Sequence, residues 1–211
     1  MIRIHKSNEP NCLVDLRENS NDYSDLRDEC RSEVLDSLKT EQVGICAYCQ
    51  KEVNTVIEIE HYIPQSIDEE KVLIYENFLG VCSGFFYVDK NTGEKIDYCS
   101  RKRGNQELFL NPMESEDMDT IYYDENNKIL SSNVKILYDL EQTLNLNFTE
   151  LCDKRGEAFQ TFLLNLYKLK EILGLSKVDF VNKAIQLLSV GNTEYSGIIK
   201  FRLKQLISES S

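Results

Sequence analysis

No apolar run in this sequence approaches the length needed to cross a bilayer, which argues against a membrane-spanning helix. The opening stretch, MIRIHKSNEP, carries no signal-peptide core. Positive charge is scarce: 24 Lys and Arg stand against 36 Asp and Glu, a formal net charge of −12. Phosphate contacts dominate nucleic-acid affinity, so DNA would repel a chain this acidic taken as a whole. If it acts on DNA, it does so through a small basic patch or with a partner that holds the DNA. Histidine is nearly missing, with only His5 and His61 present. No repeat of fixed period is found. The seven cysteines are an odd number without a secretory signal, which argues for reduced thiols in a cytoplasm and for metal binding over a disulfide framework. What is there is ordinary in amount. A hydrophobic fraction of 41% over 211 residues is enough for one large domain or two small ones.

The informative stretch runs from Cys46 to Asn105. Cys46-Ala-Tyr-Cys49 has the spacing of a zinc knuckle, and Cys82 and Cys99 supply a second pair. Four thiolates suit tetrahedral Zn²⁺ and leave no open position, so such an ion would be structural. Between the pairs, Glu60-His61 ends an alternating apolar run of Val53, Val56, Ile57 and Ile59, expected as a strand over 53–60 that Pro64 ends. Residues 75–81 read as a short helix leading to Cys82. Residues 85–98 read as a hairpin around Asn91-Thr92-Gly93, which would bring Cys82 and Cys99 together at its base. Ser100-Arg101-Lys102-Arg103-Gly104 is the dense basic cluster of the chain. By itself it reads as a solvated loop. Beside the Glu-His pair it reads as a phosphate contact made by Arg101, Lys102 and Arg103.

The remainder is helical in pattern. Leu26, Cys30, Val34 and Leu38 predict a helix over 22–38 with Ser24 as its N-cap. Ile2 and Ile4 suggest a short strand. The acidic, turn-rich residues 111–128, with a second hairpin around Asn126-Asn127, divide a metal-centred half from a helical half. Further on, helices are expected at 136–144, at 149–173 closed by Gly174, from Ser176 to about Gly191, and at 195–207. The expected fold class is therefore α+β. A zinc-stabilised core with an N-terminal helix fills 1–112, and a hairpin plus helices fills 113–211. The C-terminal helices are expected to offer a partner surface, on apolar content alone.

The chemistry of Glu60-His61 follows from its groups. A histidine near neutral pKa can take a proton from water. A neighbouring carboxylate can hold a hard cation such as Mg²⁺. Together they suit metal-assisted cleavage of a phosphodiester.

Cys-x-x-Cys, Glu-His-x-x-Pro, Asn77-Phe78-Leu79, Cys82 and Cys99 with a following Lys-Arg-Gly-Asn resemble the HNH endonuclease superfamily with its ββα-metal, treble-clef-like fold. The closer likeness is to the HNH nuclease subunit of the Septu anti-phage system and its retron-associated relatives. It is close over 46–105 and looser through Leu110-Asn111-Pro112 and Leu144–Asn147 to Arg155. The resemblance implies a cytoplasmic DNA nuclease in antiviral defence, switched by a partner ATPase of the ABC type in a hetero-oligomer. It implies His61 as general base, Glu60 as ligand of a catalytic Mg²⁺ or Mn²⁺, and Asn77 as the residue that orients the loop bearing His61. Cys46, Cys49, Cys82 and Cys99 would hold Zn²⁺. The third signature residue, ordinarily His, Asn or Asp after the last cysteine, is Ser100 here. Either Asn105 or Asp97 substitutes as ligand, or the ion keeps an extra water, or the site is weakened. Two other readings stay open: a zinc-centred scaffold or nucleic-acid-binding subunit, and a toxin-like RNase. Cys12, Cys30, Cys152 and His5 have no assigned role and read as filler.

Overall fold

The computed structural model describes residues 1–53, 56–82, 87–89, 92–174 and 193–208, with 176, 179, 180, 182–184 and 186 in between. The chain is mixed α and β with three small antiparallel sheets among the described residues. It begins with an irregular arm, where Ile4 N–H reaches the carbonyl of Pro112 instead of joining a strand. Two helices follow, α1 (Asn11–Asn19) and α2 (Asp28–Glu41), linked through a 3-10 turn at Tyr23–Asp25. The expected stripe is present in α2, whose buried side chains are Val34 and Leu38. Its start differs from the expectation. Asp22 accepts the N–H of Ser24, which closes the short turn, and α2 begins only at Asp28 with Asp28 and Glu29 in its first turn. There they face the positive end of the helix dipole.

The central sheet is β1 (Glu58–His61) against β2 (Phe78–Val81), with Glu60 opposite Leu79 and His61 opposite Phe78. The helix expected over 75–81 is a single 3-10 turn, Tyr75–Asn77, followed by this strand. All four β2 residues are buried. Pairing with β1 gives their backbone groups partners and sets their apolar side chains in the core, which outweighs the local helical pattern. The sheet packs closely at Gly80: a Cβ would lie 2.6 Å from Ile57 Cδ1 and 3.2 Å from the Gln42 amide nitrogen, so those side chains would have to shift. The Gln42 side chain of the α2 C-cap also bonds both the N–H and the carbonyl of Gly80.

A second ribbon, β3 (Tyr87–Val88) with β4 (Lys95–Ile96), lies between Cys82 and Cys99 in sequence; residues 85, 86, 90 and 91 of the expected hairpin lie outside the described residues. Helix α3 (Cys99–Arg103) follows at once. Then come α4 (Ser115–Asp119), the hairpin β5 (Ile121–Tyr123) and β6 (Ile129–Ser131), and α5 (Val134–Tyr138), which runs into one π turn at Asp139–Thr143. The long helix α6 (Thr149–Leu173) has the expected bounds, and Gly174 caps it at φ +60°. Most of the helix expected after Ser176 lies outside the described residues. The last helix is α7 (Ser196–Ser208).

The buried apolar residues form one cluster that runs from Ile4 and Leu13 through the cysteine knuckle to Leu140, Ile198 and Leu203. The two expected halves thus share a core. Tyr195 N–H bonds the Gln50 carbonyl in the knuckle, and Cys99 N–H bonds the Leu144 carbonyl. No helix among the described residues is long and apolar enough to cross a membrane.

Candidate metal centre and histidine site

Cys46 and Cys49 sit on a tight turn. Cys46 N–H bonds the Lys51 carbonyl, Gln50 N–H returns to the Cys46 carbonyl, and Gln50 takes φ +63°. Cys82 follows β2 directly, and Cys99, at φ +61°, opens α3. The four sulfurs converge from these three places and lie within 4.8 Å of one another. Around a tetrahedral ion with Zn–S near 2.3 Å, neighbouring sulfurs would stand about 3.8 Å apart. Cys46 and Cys99 are separated by 3.4 Å and Cys49 and Cys82 by 3.7 Å. The donor set and its spacing therefore fit an ion such as zinc. All four cysteines are buried. Burial pushes the Cys99 thiol up, and a hydrogen bond with Cys46 pushes Cys49 up, so the protons would leave only in exchange for a cation. Among the described residues this is the group of His, Cys, Asp or Glu side chains close enough to share an ion.

Glu60 and His61 leave β1 toward different surroundings, as adjacent strand residues do. The Glu60 carboxylate lies 2.5 Å from Arg103 Nη1. Arg103, named above as a phosphate contact, has no exposed side chain. It donates to the Tyr48 hydroxyl, to the carbonyls of His61, Tyr62 and Gln106, and to Glu60. That expectation is therefore corrected: Arg103 is a buried tie between α3 and the end of β1. Its length lets it cross from the helix to the strand, and five acceptors occupy its guanidinium. Burial raises the Glu60 pKa, and the Arg103 charge opposes that rise.

His61 packs edge-on against Phe78, its cross-strand neighbour, at 5.1 Å between ring centroids, and against Tyr23 at 4.7 Å. Its Nε2 lies 3.0 Å from the Val72 carbonyl. A carbonyl only accepts, so this nitrogen carries the proton and Nδ1 keeps a lone pair, 3.3 Å from the Gln65 amide nitrogen. Burial lowers the His61 pKa from 6.5, against the opposing pull of the Val72 carbonyl. Burial thus favours the uncharged form of the ring. Three of the ring's neighbours, Tyr23, Gln65 and Val72, line an open cleft of about 660 Å³ together with Ser20, Asn21, Asp22, Ser66 and Glu69; His61 itself is not among the lining residues.

Asn77 braces the segment after His61. Its Oδ1 accepts Ile63 N–H, and its Nδ2 donates to the carbonyls of Ile63 and Lys71. The remaining expected ligands do not gather on Glu60. Ser100 Oγ is 3.5 Å from the Cys82 carbonyl, Asp97 pairs with Arg101 at 2.7 Å, and Asn105 lies exposed past the end of α3. With Glu60 committed to Arg103, these residues do not fit a preformed oxygen site for Mg²⁺ or Mn²⁺. On α3, Arg101 and Lys102 are exposed.

Several residues that shape the site gave little signal in sequence. Tyr48 sits inside the Cys-x-x-Cys knuckle, which is a hint; Tyr23, Gln65 and Val72 are brought in by chain reversal alone. The reading of Cys12 and Cys30 as reduced filler is also corrected. They form a disulfide between α1 and α2, with Cα atoms 5.5 Å apart, because the two helices pack against each other. Cys152 is a buried thiol on α6, near Arg155 and outside the cluster.

No family model matches the chain, and no curated protein matches it.

Proposed function

We propose that the chain is an HNH-type DNA endonuclease built on a structural zinc ion, with His61 as the general base, acting in antiviral defence beside an ABC-type ATPase. The observation that carries this reading is the state of His61. It is a neutral imidazole at the end of a two-stranded antiparallel unit, with Nε2 fixed on the Val72 carbonyl and the Nδ1 lone pair against the amide of Gln65, a side chain that lines an open cleft. Strands β1 and β2, then the β3–β4 ribbon and α3, with Cys82 after β2 and Cys99 opening α3, are compatible with the ββα likeness of the sequence. In this reading the chain's own groups do three things. Nδ1 takes a proton from the attacking water. The Val72 carbonyl holds the ring in one tautomer, and Asn77 holds the segment that follows. Arg101 and Lys102 on α3 meet phosphate, while the ATPase supplies the rest of the DNA grip that a chain of net charge −12 lacks.

A second reading is favoured by a specific observation. Glu60 is engaged by Arg103, and Ser100 faces the Cys82 carbonyl, so the chain also suits a zinc-centred scaffold whose cleavage site is weakened. Plasmid cleavage separates the two. The purified chain is incubated in Mg²⁺ or Mn²⁺, with and without its ATPase, as wild type and as His61→Ala. Cutting that vanishes in the variant supports the nuclease. No cutting in any arm, with zinc still bound, supports the scaffold. An RNA substrate run in parallel tests the toxin-like RNase alternative.

A further inference from the structure

Residues 20–27 turn back over the candidate base. The Tyr23 ring meets the His61 imidazole edge-on, and both rings contact Phe78, Tyr23 at 6.1 Å and His61 at 5.1 Å. The Tyr23 hydroxyl accepts from Arg31 on α2 at 3.1 Å. Ser20, Asp22 and Tyr23 belong to one wall of the cleft, and Gln65 and Val72, the two groups on the His61 ring, belong to the other. The wall is tied locally: Ser20 Oγ donates to Asp25 and accepts Asp22 N–H. The Cys12–Cys30 disulfide, one cysteine on α1 and the other on α2, closes the length of chain that carries this wall. Both of these cysteines are half-buried, whereas the other five are buried. A small thiol can therefore reach this pair without entering the metal cluster.

We propose that Cys12–Cys30 is a redox clasp that positions Tyr23, and with it one wall of the cleft, against His61. Its effect on cleavage rests on the reading of His61 as the base; the clasp itself does not. The chemistry is thiol–disulfide exchange with a thiol of the glutathione class. The small thiolate attacks one sulfur, the S–S bond breaks, and the other cysteine leaves as a thiolate and takes a proton. A second small thiol attacks the mixed disulfide and frees the remaining cysteine. Two electrons pass to the protein pair, giving two protein thiols and one small disulfide. A small disulfide reverses the reaction. With the bond open, residues 13–29 are held by non-covalent contacts alone, with Leu13 and Leu26 as their buried anchors, and the wall opens more often.

Histidine carbethoxylation by diethyl pyrocarbonate tests this on the full, zinc-loaded chain. Modification is followed separately at His61 and at His5, an exposed internal reference in the same sample. The His61-to-His5 ratio is expected to rise severalfold on reduction with zinc content unchanged. Cys12→Ser should match the reduced wild type under both conditions. In oxidised protein Tyr23→Ala should raise the ratio, and Tyr23→Phe, which keeps the ring, should leave it at the wild-type value. Equal ratios in oxidised and reduced wild type would overturn the proposal, as would ready alkylation of Cys12 and Cys30 in the unreduced native protein. A rise confined to samples that had lost zinc would overturn it too. Should Cys12→Ser fail to fold, reduced wild type carries the comparison. No arm requires cleavage, so a failure of the nuclease reading leaves this result interpretable.

Discussion

His61 and Glu60 are neighbours in the chain, yet they serve different surroundings. Replacing His61 by Ala should lower cleavage by about 10²–10⁴-fold, the usual contribution of a general base, with zinc content and the melting curve retained. The pH dependence follows from burial of the ring. A base must be unprotonated, so activity holds at high pH and falls as pH drops through the His61 pKa. Burial moves that pKa below 6.5, so the acidic limb of a kcat/KM profile should lie below that value. Arg103 answers to stability. Arg103→Ala leaves the Glu60 carboxylate and three backbone carbonyls without their donor, which should cost about 3–5 kcal/mol in a denaturant titration. Sequence exposed the candidate base, because a Glu-His-x-x-Pro string beside cysteine pairs is distinctive. It misread Arg103, because an arginine in a run of three basic residues looks solvated until α3 is docked on β1.

Among the elements, α6 was legible to the residue: twenty-five residues of helical periodicity end on a glycine at positive φ. Strand β2 was not, since Tyr75–Val81 has helical spacing and only β1 supplies its hydrogen-bond partners. Its contact with α2 and Ile57 is tight. Gly80→Ala forces a Cβ into Ile57 Cδ1 and toward the Gln42 amide, and should destabilise the fold by about 1–3 kcal/mol in thermal or chemical unfolding. Helix α1 left no stripe strong enough to read, and the disulfide that ties it to α2 joins cysteines 18 positions apart. In the chain-entropy account a loop of this length contributes about 3 kcal/mol. Unfolding with and without reductant, at constant zinc, should show a loss of that order.

At the scale of the whole molecule, the cysteine cluster and the shared core act together. Zinc bound by four thiolates contributes on the order of 10–16 kcal/mol of apparent free energy at neutral pH. A strong chelator should therefore release one ion per chain and unfold it, as read by circular dichroism and metal analysis. The last helix belongs to the same unit. Tyr195, Ile198 and Ile199 are buried, and Gly197 N–H bonds the Gln50 side chain beside Cys49. Deleting 176–211 would thus strip the knuckle of its cover as well as any partner surface. The exposed Leu164, Tyr167, Ile172 and Leu173 of α6 are the better positions for testing co-purification with an ATPase. Isolated from any partner, the chain should bind DNA weakly with a shallow salt slope; tight, steeply salt-dependent binding would count against the division of labour proposed above.

The sequence by itself determined the Cys-x-x-Cys pair of the cluster that could hold an ion, the candidate base, the acidic balance and the long helix, because each rests on residue identity or periodicity within a short stretch. Only the tertiary structure decided that Glu60 belongs to Arg103, that Tyr23 covers His61, that Cys12 meets Cys30 and that the two halves share a core. Those are meetings of residues tens of positions apart, and burial and hydrogen-bond satisfaction across the whole chain select them.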